Sequence, residues 1–108
     1  MKIHELAKTL GLEALNSITE SEINGVLITD IVSDVVMHAK PGVLVITAQP
    51  HTTLIAAAKL SNVSAIIYTR GREPLDDAKL LAENAQITLL RTDLSAYEMA
   101  GRLIELGL

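Results

Sequence analysis

Residues 43–69 read VLVITAQPHTTLIAAAKLSNVSAIIYT. Two unbroken apolar runs, Val43–Thr47 and Ala65–Thr69, flank a stretch of helical character, Thr52–Leu60. Neither run alternates apolar with polar residues, so neither reads as a strand with one wet face. Continuous apolar strands are those covered on both sides, as parallel strands are. Two such strands joined through a helix make one right-handed crossover unit. The pattern repeats outward. Upstream lie the run Gly25–Thr29 and the helix Ile31–Ala39; downstream come the helix Leu75–Ala85, the run Ile87–Thr92 and the helix Ser95–Leu106. Alternation of this kind predicts an α/β fold. The expected architecture is a three-layer α/β/α single domain over 1–108, with a mostly parallel central sheet of at least four strands.

Local signals sharpen the boundaries. Ile3, Leu6, Ala7 and Leu10 follow helical spacing, and Gly11 stands where a left-handed C-cap belongs. Glu13–Asn16 is a candidate short strand. Asp30 and Ser95 are candidate N-caps, and Pro74 suits a first helical turn, with Asp76 and Asp77 favouring the dipole behind it. Pro41-Gly42 marks a turn, and Gly107 ends the last helix.

Composition excludes several functions. Of the residues, 49% are hydrophobic, far too many for a disordered regulator. No apolar stretch reaches the roughly eighteen residues of a membrane span, and MKIHELAKTLG lacks the apolar core of a signal peptide. The expected setting is cytoplasmic. Cys is absent, which removes disulfides and thiolate chemistry. Nine basic residues against thirteen acidic ones argue against nucleic acid, and two Tyr with no Phe or Trp leave no stacking platform.

The strand ends share a feature. Thr29-Asp30, Thr47, Thr69 and Thr92-Asp93 each close an apolar run, and ligands bind such a rim in open α/β sheets. The loops leaving it are polar. The candidate ligand contacts are Asp30, Thr47, Gln49, His51, Thr52, Thr69, Arg70, Gly71, Arg72, Thr92, Asp93 and Ser95. Each Thr taken alone is explained by strand preference and capping; it is their convergence that suggests a site. In Thr69–Pro74, Gly71 permits a positive φ and close backbone approach, a helix start follows, and two arginines offer forked donors to an anion. A second reading pairs those arginines with Glu73, Asp76 and Asp77 on a surface turn. His51 reads as a polar cap or ligand contact, and Asp34 as part of a solvated face. No HExxH, His-x-x-His, GxGxxG, Walker or GxSxG motif occurs, so no catalytic residue, metal site or cofactor is expected.

At this point the chain resembles the DRTGG domain family. The resemblance runs through His4-Glu5-Leu6 and Leu10-Gly11-Leu12-Glu13, Ile23–Val35, Val45-Ile46-Thr47 with His51, Tyr68–Pro74 and Thr92–Glu98, nearly the whole chain. Where the family has Thr-Gly-Gly after the third strand, this chain reads Thr69-Arg70-Gly71. The family is similar to the N-terminal domain of HPr kinase/phosphorylase, and its modules accompany CBS pairs in some pyrophosphatases. The resemblance implies a homodimeric regulatory domain without catalysis of its own.

Three functions follow in order of support. The leading one is a non-catalytic regulatory homodimer sensing a small anionic metabolite or nucleotide at the rim. The second is an accessory protein docking on a metabolic or redox partner enzyme, and an enzyme of unknown reaction is the weakest. A concave rim with convergent Arg70, Arg72 and Gln49 favours the first, and a flat apolar patch the second. Dimerisation is expected because Thr52–Leu60 and Ser95–Leu106 carry more apolar surface than one contact stripe hides. The alternative is that the helix Ile3–Leu10 folds back over the surplus.

Overall fold

In the computed structural model, which describes residues 1–108, the four apolar runs become neighbouring strands of one sheet. The elements are α1 (Ile3–Leu10), β1 (Glu13–Ala14), β2 (Gly25–Ile28), α2 (Val32–His38), β3 (Val43–Thr47), α3 (Thr52–Leu60), β4 (Ala65–Tyr68), α4 (Asp76–Asn84), β5 (Thr88–Arg91) and α5 (Ala96–Glu105). The strand order is β1-β5-β4-β3-β2. β2 to β5 are parallel, and β1 joins β5 antiparallel. The short strand expected at Glu13–Asn16 is therefore present, shortened to two residues.

Side-chain alternation along each strand builds a layer on either face. Val43, Val45, Ile66, Tyr68 and Leu89 point to the side covered by α2, α3 and α4. Leu44, Ile46, Ala65, Ile67 and Leu90 point to the side covered by α1 and α5. β3 and β4 are buried along their whole length because helices cover both faces and strands flank both edges. β2, at the open edge, is only half-buried. This is the three-layer arrangement expected from the continuous runs.

Two expectations about helix surfaces are corrected. Most of the surplus apolar surface of α3 is taken up by α2 and α4, which pack beside it on the same face, leaving Ala56 and Leu60 exposed. α1 covers none of that surface; it lies on the opposite face in one apolar cluster with the inner side of α5, whose Tyr97 and Ile104 stay exposed. Pro74 also falls outside α4: Leu75 is the N-cap and the helix begins at Asp76. Leu75, at φ −71° and ψ 168°, is the extended residue from which the helix starts.

Candidate functional site

The C-terminal ends of β2 to β5 form one rim, and the ladder runs one residue past the strands. The amides of Thr29, Thr69 and Thr92 donate to Ile46, Thr47 and Tyr68 carbonyls at 3.1, 3.1 and 3.0 Å. Three rim threonines then turn the chain in the same way. Oγ1 of Thr29, Thr47 and Thr92 accepts the amide two residues on, from Ile31, Gln49 and Leu94 at 3.1, 3.0 and 3.2 Å. A hydroxyl that satisfies an amide two residues past it lets the strand end there. Their repetition at the rim has this local cause.

Asp30 departs from its expected role. Its Oδ1 accepts from Thr47 Oγ1 at 3.0 Å and from the Ala48 amide at 2.7 Å, which ties the loop after β2 to the loop after β3. Ile31 is the N-cap of α2, without a side-chain cap. Two donors from the neighbouring strand end outcompete the helix's own amides. Asp34 is half-buried rather than solvated, because its carboxylate accepts from Thr29 Oγ1 at 2.8 Å. Ser95 does cap α5, in a reciprocal capping box with Glu98.

The Thr69–Pro74 loop differs most from expectation. Arg70 and Gly71 both take left-handed φ, 53° and 70°. Their amides are spent inside the fold, donating to the Leu94 and Thr92 carbonyls at 3.0 and 2.8 Å. The expected close approach of backbone to an anion at Gly71 is therefore corrected; those N–H groups hold the β4 and β5 loops together. A Cβ on Gly71 would stand 3.1 Å from Asp93 Oδ1, so that carboxylate occupies the space beside it. The start of α4 is acidic, and Asp77 Oδ1 already accepts the Ala78 amide at 2.8 Å.

What the loop offers is side chains. The expected pairing of Arg70 and Arg72 with Glu73, Asp76 or Asp77 does not form. Glu73 engages Lys79 and Arg91 instead. The hydrogen bond from Lys79, aided by the charges of Lys79 and Arg91, holds the Glu73 carboxyl below its usual range. Both loop guanidiniums stay exposed and free of ion pairs.

The fold brings the twelve candidates to one rim and places seven of them in three depressions. Arg72 and Gln49 share a hollow of about 140 Å³ with Asp30 and Ala48. His51 and Thr52 line a cleft of about 230 Å³ that faces Glu73 and Asp77. Thr92 and Asp93 line a third, of about 350 Å³, with Glu13, Arg91 and Arg102. Thr47, Thr69, Gly71 and Ser95 serve the loops' own structure, and Arg70 projects outside the three hollows. Arg91 and Arg102 were missed by sequence reasoning. Arg91 is the one charge inside an apolar strand run, and that anomaly was the available signal.

No curated protein matches the chain. Among solved structures it is similar to the CBS and DRTGG domains of the regulatory region of Clostridium perfringens pyrophosphatase, complexed with the activator diadenosine tetraphosphate. The TM-score is 0.73 at 22% identity, over 95% of this chain and 45% of that one, so the present chain spans less than half of that region. The likeness bears on the fold. The DRTGG domain profile matches residues 5–106, through both the rim loops and the helices of the two outer layers, and the chain belongs to the DRTGG domain family.

Proposed function

We propose that this chain is a non-catalytic, homodimeric regulatory module that senses a small anionic metabolite or nucleotide at the strand-end rim. The observation that carries the reading is the pair of exposed, unpaired guanidiniums, Arg70 and Arg72, either side of Gly71 in one loop, with Gln49 beside Arg72. Forked guanidinium donors suit phosphate oxygens. Rim hydroxyls that meet carboxylates also accept a backbone amide, as Thr29, Thr47 and Ser95 do, so they act as structural acceptors rather than free nucleophiles. The Clostridium perfringens region is complexed with a dinucleoside tetraphosphate, and that class of anion is the first to try.

A thermal-shift series with inorganic phosphate, nucleoside triphosphates and diadenosine tetraphosphate tests the reading. At a hundredfold excess over its dissociation constant, a ligand adds about 2.7 kcal/mol of stability. Arg70→Ala with Arg72→Ala is expected to abolish the response. A response that survives both substitutions places the site elsewhere, and no response to any anion sinks the sensing role. Docking on a larger metabolic or redox enzyme is the second reading, favoured by the shallowness of the hollow at Arg72.

A further inference from the structure

The two edges of the sheet are finished differently. Beyond β5 the chain closes its own edge: β1 pairs there, and the Asn16 side chain donates to the Ile87 carbonyl at 2.9 Å and accepts the Leu89 amide at 2.8 Å. Beyond β2 nothing pairs. The Thr29 amide bonds inward to Ile46, so strand alternation turns the main-chain groups of Val26 and Ile28 outward. Open edges are normally blunted by charge, proline or a bulge. β2 reads Gly-Val-Leu-Ile and has none of these.

Apolar surface continues from that edge onto α5. A groove of about 220 Å³ runs between β2 and α5, lined by Val26, Ile28, Ala100, Leu103, Ile104 and Leu108, with no polar residue. Ile28 is 47% exposed, Ile104 70% and Tyr97, one turn up the same stripe, 90%. On the other face of the sheet, the edge carries charge. The Thr29–Asp34 hydrogen bond places the Asp34 flank of α2 beside β2. His38 lies one turn further along that flank, and exposed Lys40 follows it. α2 runs antiparallel to β2, so its acidic end sits at the C-terminal end of the strand and its basic end at the N-terminal end.

We propose that the β2 edge docks on a second copy of this chain about a two-fold axis normal to the sheet. This rests on the homodimeric reading above and names its surface. Antiparallel pairing opposes Val26 to Ile28 of the second copy, with Leu27 on the axis, and joins two sheets into one of ten strands. The same operation lays the α2 helices side by side in opposite directions. Asp34 of one copy then meets His38 and Lys40 of the other, twice over. It also brings the two Ala100–Ile104–Leu108 stripes together beneath the joined edge. Charge at opposite ends of one helix flank is self-complementary only for an antiparallel copy of itself, which selects this occupant.

Sedimentation of the intact chain at micromolar concentration is expected to give twice the 11.6 kDa monomer mass. Ile28→Lys and Ile104→Glu, at exposed positions on different elements, should each give monomers with an unchanged far-ultraviolet circular dichroism spectrum. Leu27→Cys, in a chain with no other cysteine, should oxidise to a covalent dimer. A monomeric wild-type chain overturns the dimer and this surface together. A dimer that survives both charge substitutions overturns the surface alone, and monomeric charge variants with no Leu27→Cys crosslink overturn the register.

Discussion

Tyr68 is the one buried side chain whose polar atom finds no partner. It is fully buried at the end of β4, and its hydroxyl makes no hydrogen bond. An unsatisfied buried hydroxyl costs on the order of 1–3 kcal/mol. Tyr68→Phe is therefore expected to raise stability by about 1 kcal/mol, visible as a higher urea midpoint with an unchanged m-value. Burial also pushes the phenol well above its ordinary value. The sign follows from linkage: above about pH 10 the unfolded chain releases this proton while the folded chain keeps it, so stability falls as pH rises, by about 1.4 kcal/mol per unit. The Phe variant should lose that part of the alkaline slope, and an identical slope between pH 10 and 11 would show that Tyr68 ionises freely in the fold. Gln86 takes a left-handed φ of 59° just past α4, where its amide and that of Ile87 bond back to Glu83 and Ala82. Glycine holds this left-handed turn without steric penalty. Gln86→Gly is expected to stabilise by about 0.5–1 kcal/mol in thermal unfolding, less the entropy glycine adds to the unfolded chain.

At the scale of elements, helix starts separate what local sequence encodes from what it does not. Ser95 with Glu98 is a capping box written in four consecutive residues, and it forms. Asp30 has the same local credentials, yet its partners, Thr47 and Ala48, lie on another strand end that only the parallel register brings near. The two should respond differently to substitution. Ser95→Ala is expected to cost about 1 kcal/mol and to leave the β2–β3 rim intact. Asp30→Ala leaves the Ala48 amide without its acceptor, costs about 1–2 kcal/mol, and should shift the amide resonances of Ala48 and Gln49. Loss of α2 helicity instead would restore Asp30 as a cap. The strands were legible for the reason the Asp30 bonds were not. Burial on both faces writes an unbroken apolar run into each segment, whereas the Asp30 contacts join positions 17 and 18 residues apart, on different strand ends. The arginines show the same division. Their presence in one loop is sequence, but their freedom depends on Glu73 being held by Lys79 and Arg91 across the fold.

For the whole molecule, the order β1-β5-β4-β3-β2 places the most insulated backbone in the middle and grades it toward both edges. β3 and β4 are covered by two helical layers and flanked by strands. Their amides should exchange with solvent only through global unfolding, whose free energy for a domain of this size is of order 5–10 kcal/mol. The two edges should behave differently. At β5, closure depends on the short β1 and on the Asn16 clamp, with Arg91 paired to Glu13 across the strands. Exposed ion pairs contribute little, so Arg91→Ala should barely alter exchange there. Asn16→Ala should open it, because the Leu89 amide and Ile87 carbonyl then lack their partners. At β2, Val26 and Ile28 turn their amides outward, and nothing within one chain protects them. In a monomer they exchange at the rate of exposed groups at every protein concentration. If the edge pairs with a second copy, their protection rises with concentration while that of β3 and β4 stays fixed. Hydrogen exchange followed residue by residue over a dilution series separates the two states, and fast exchange at Val26 and Ile28 throughout would leave that edge open in solution.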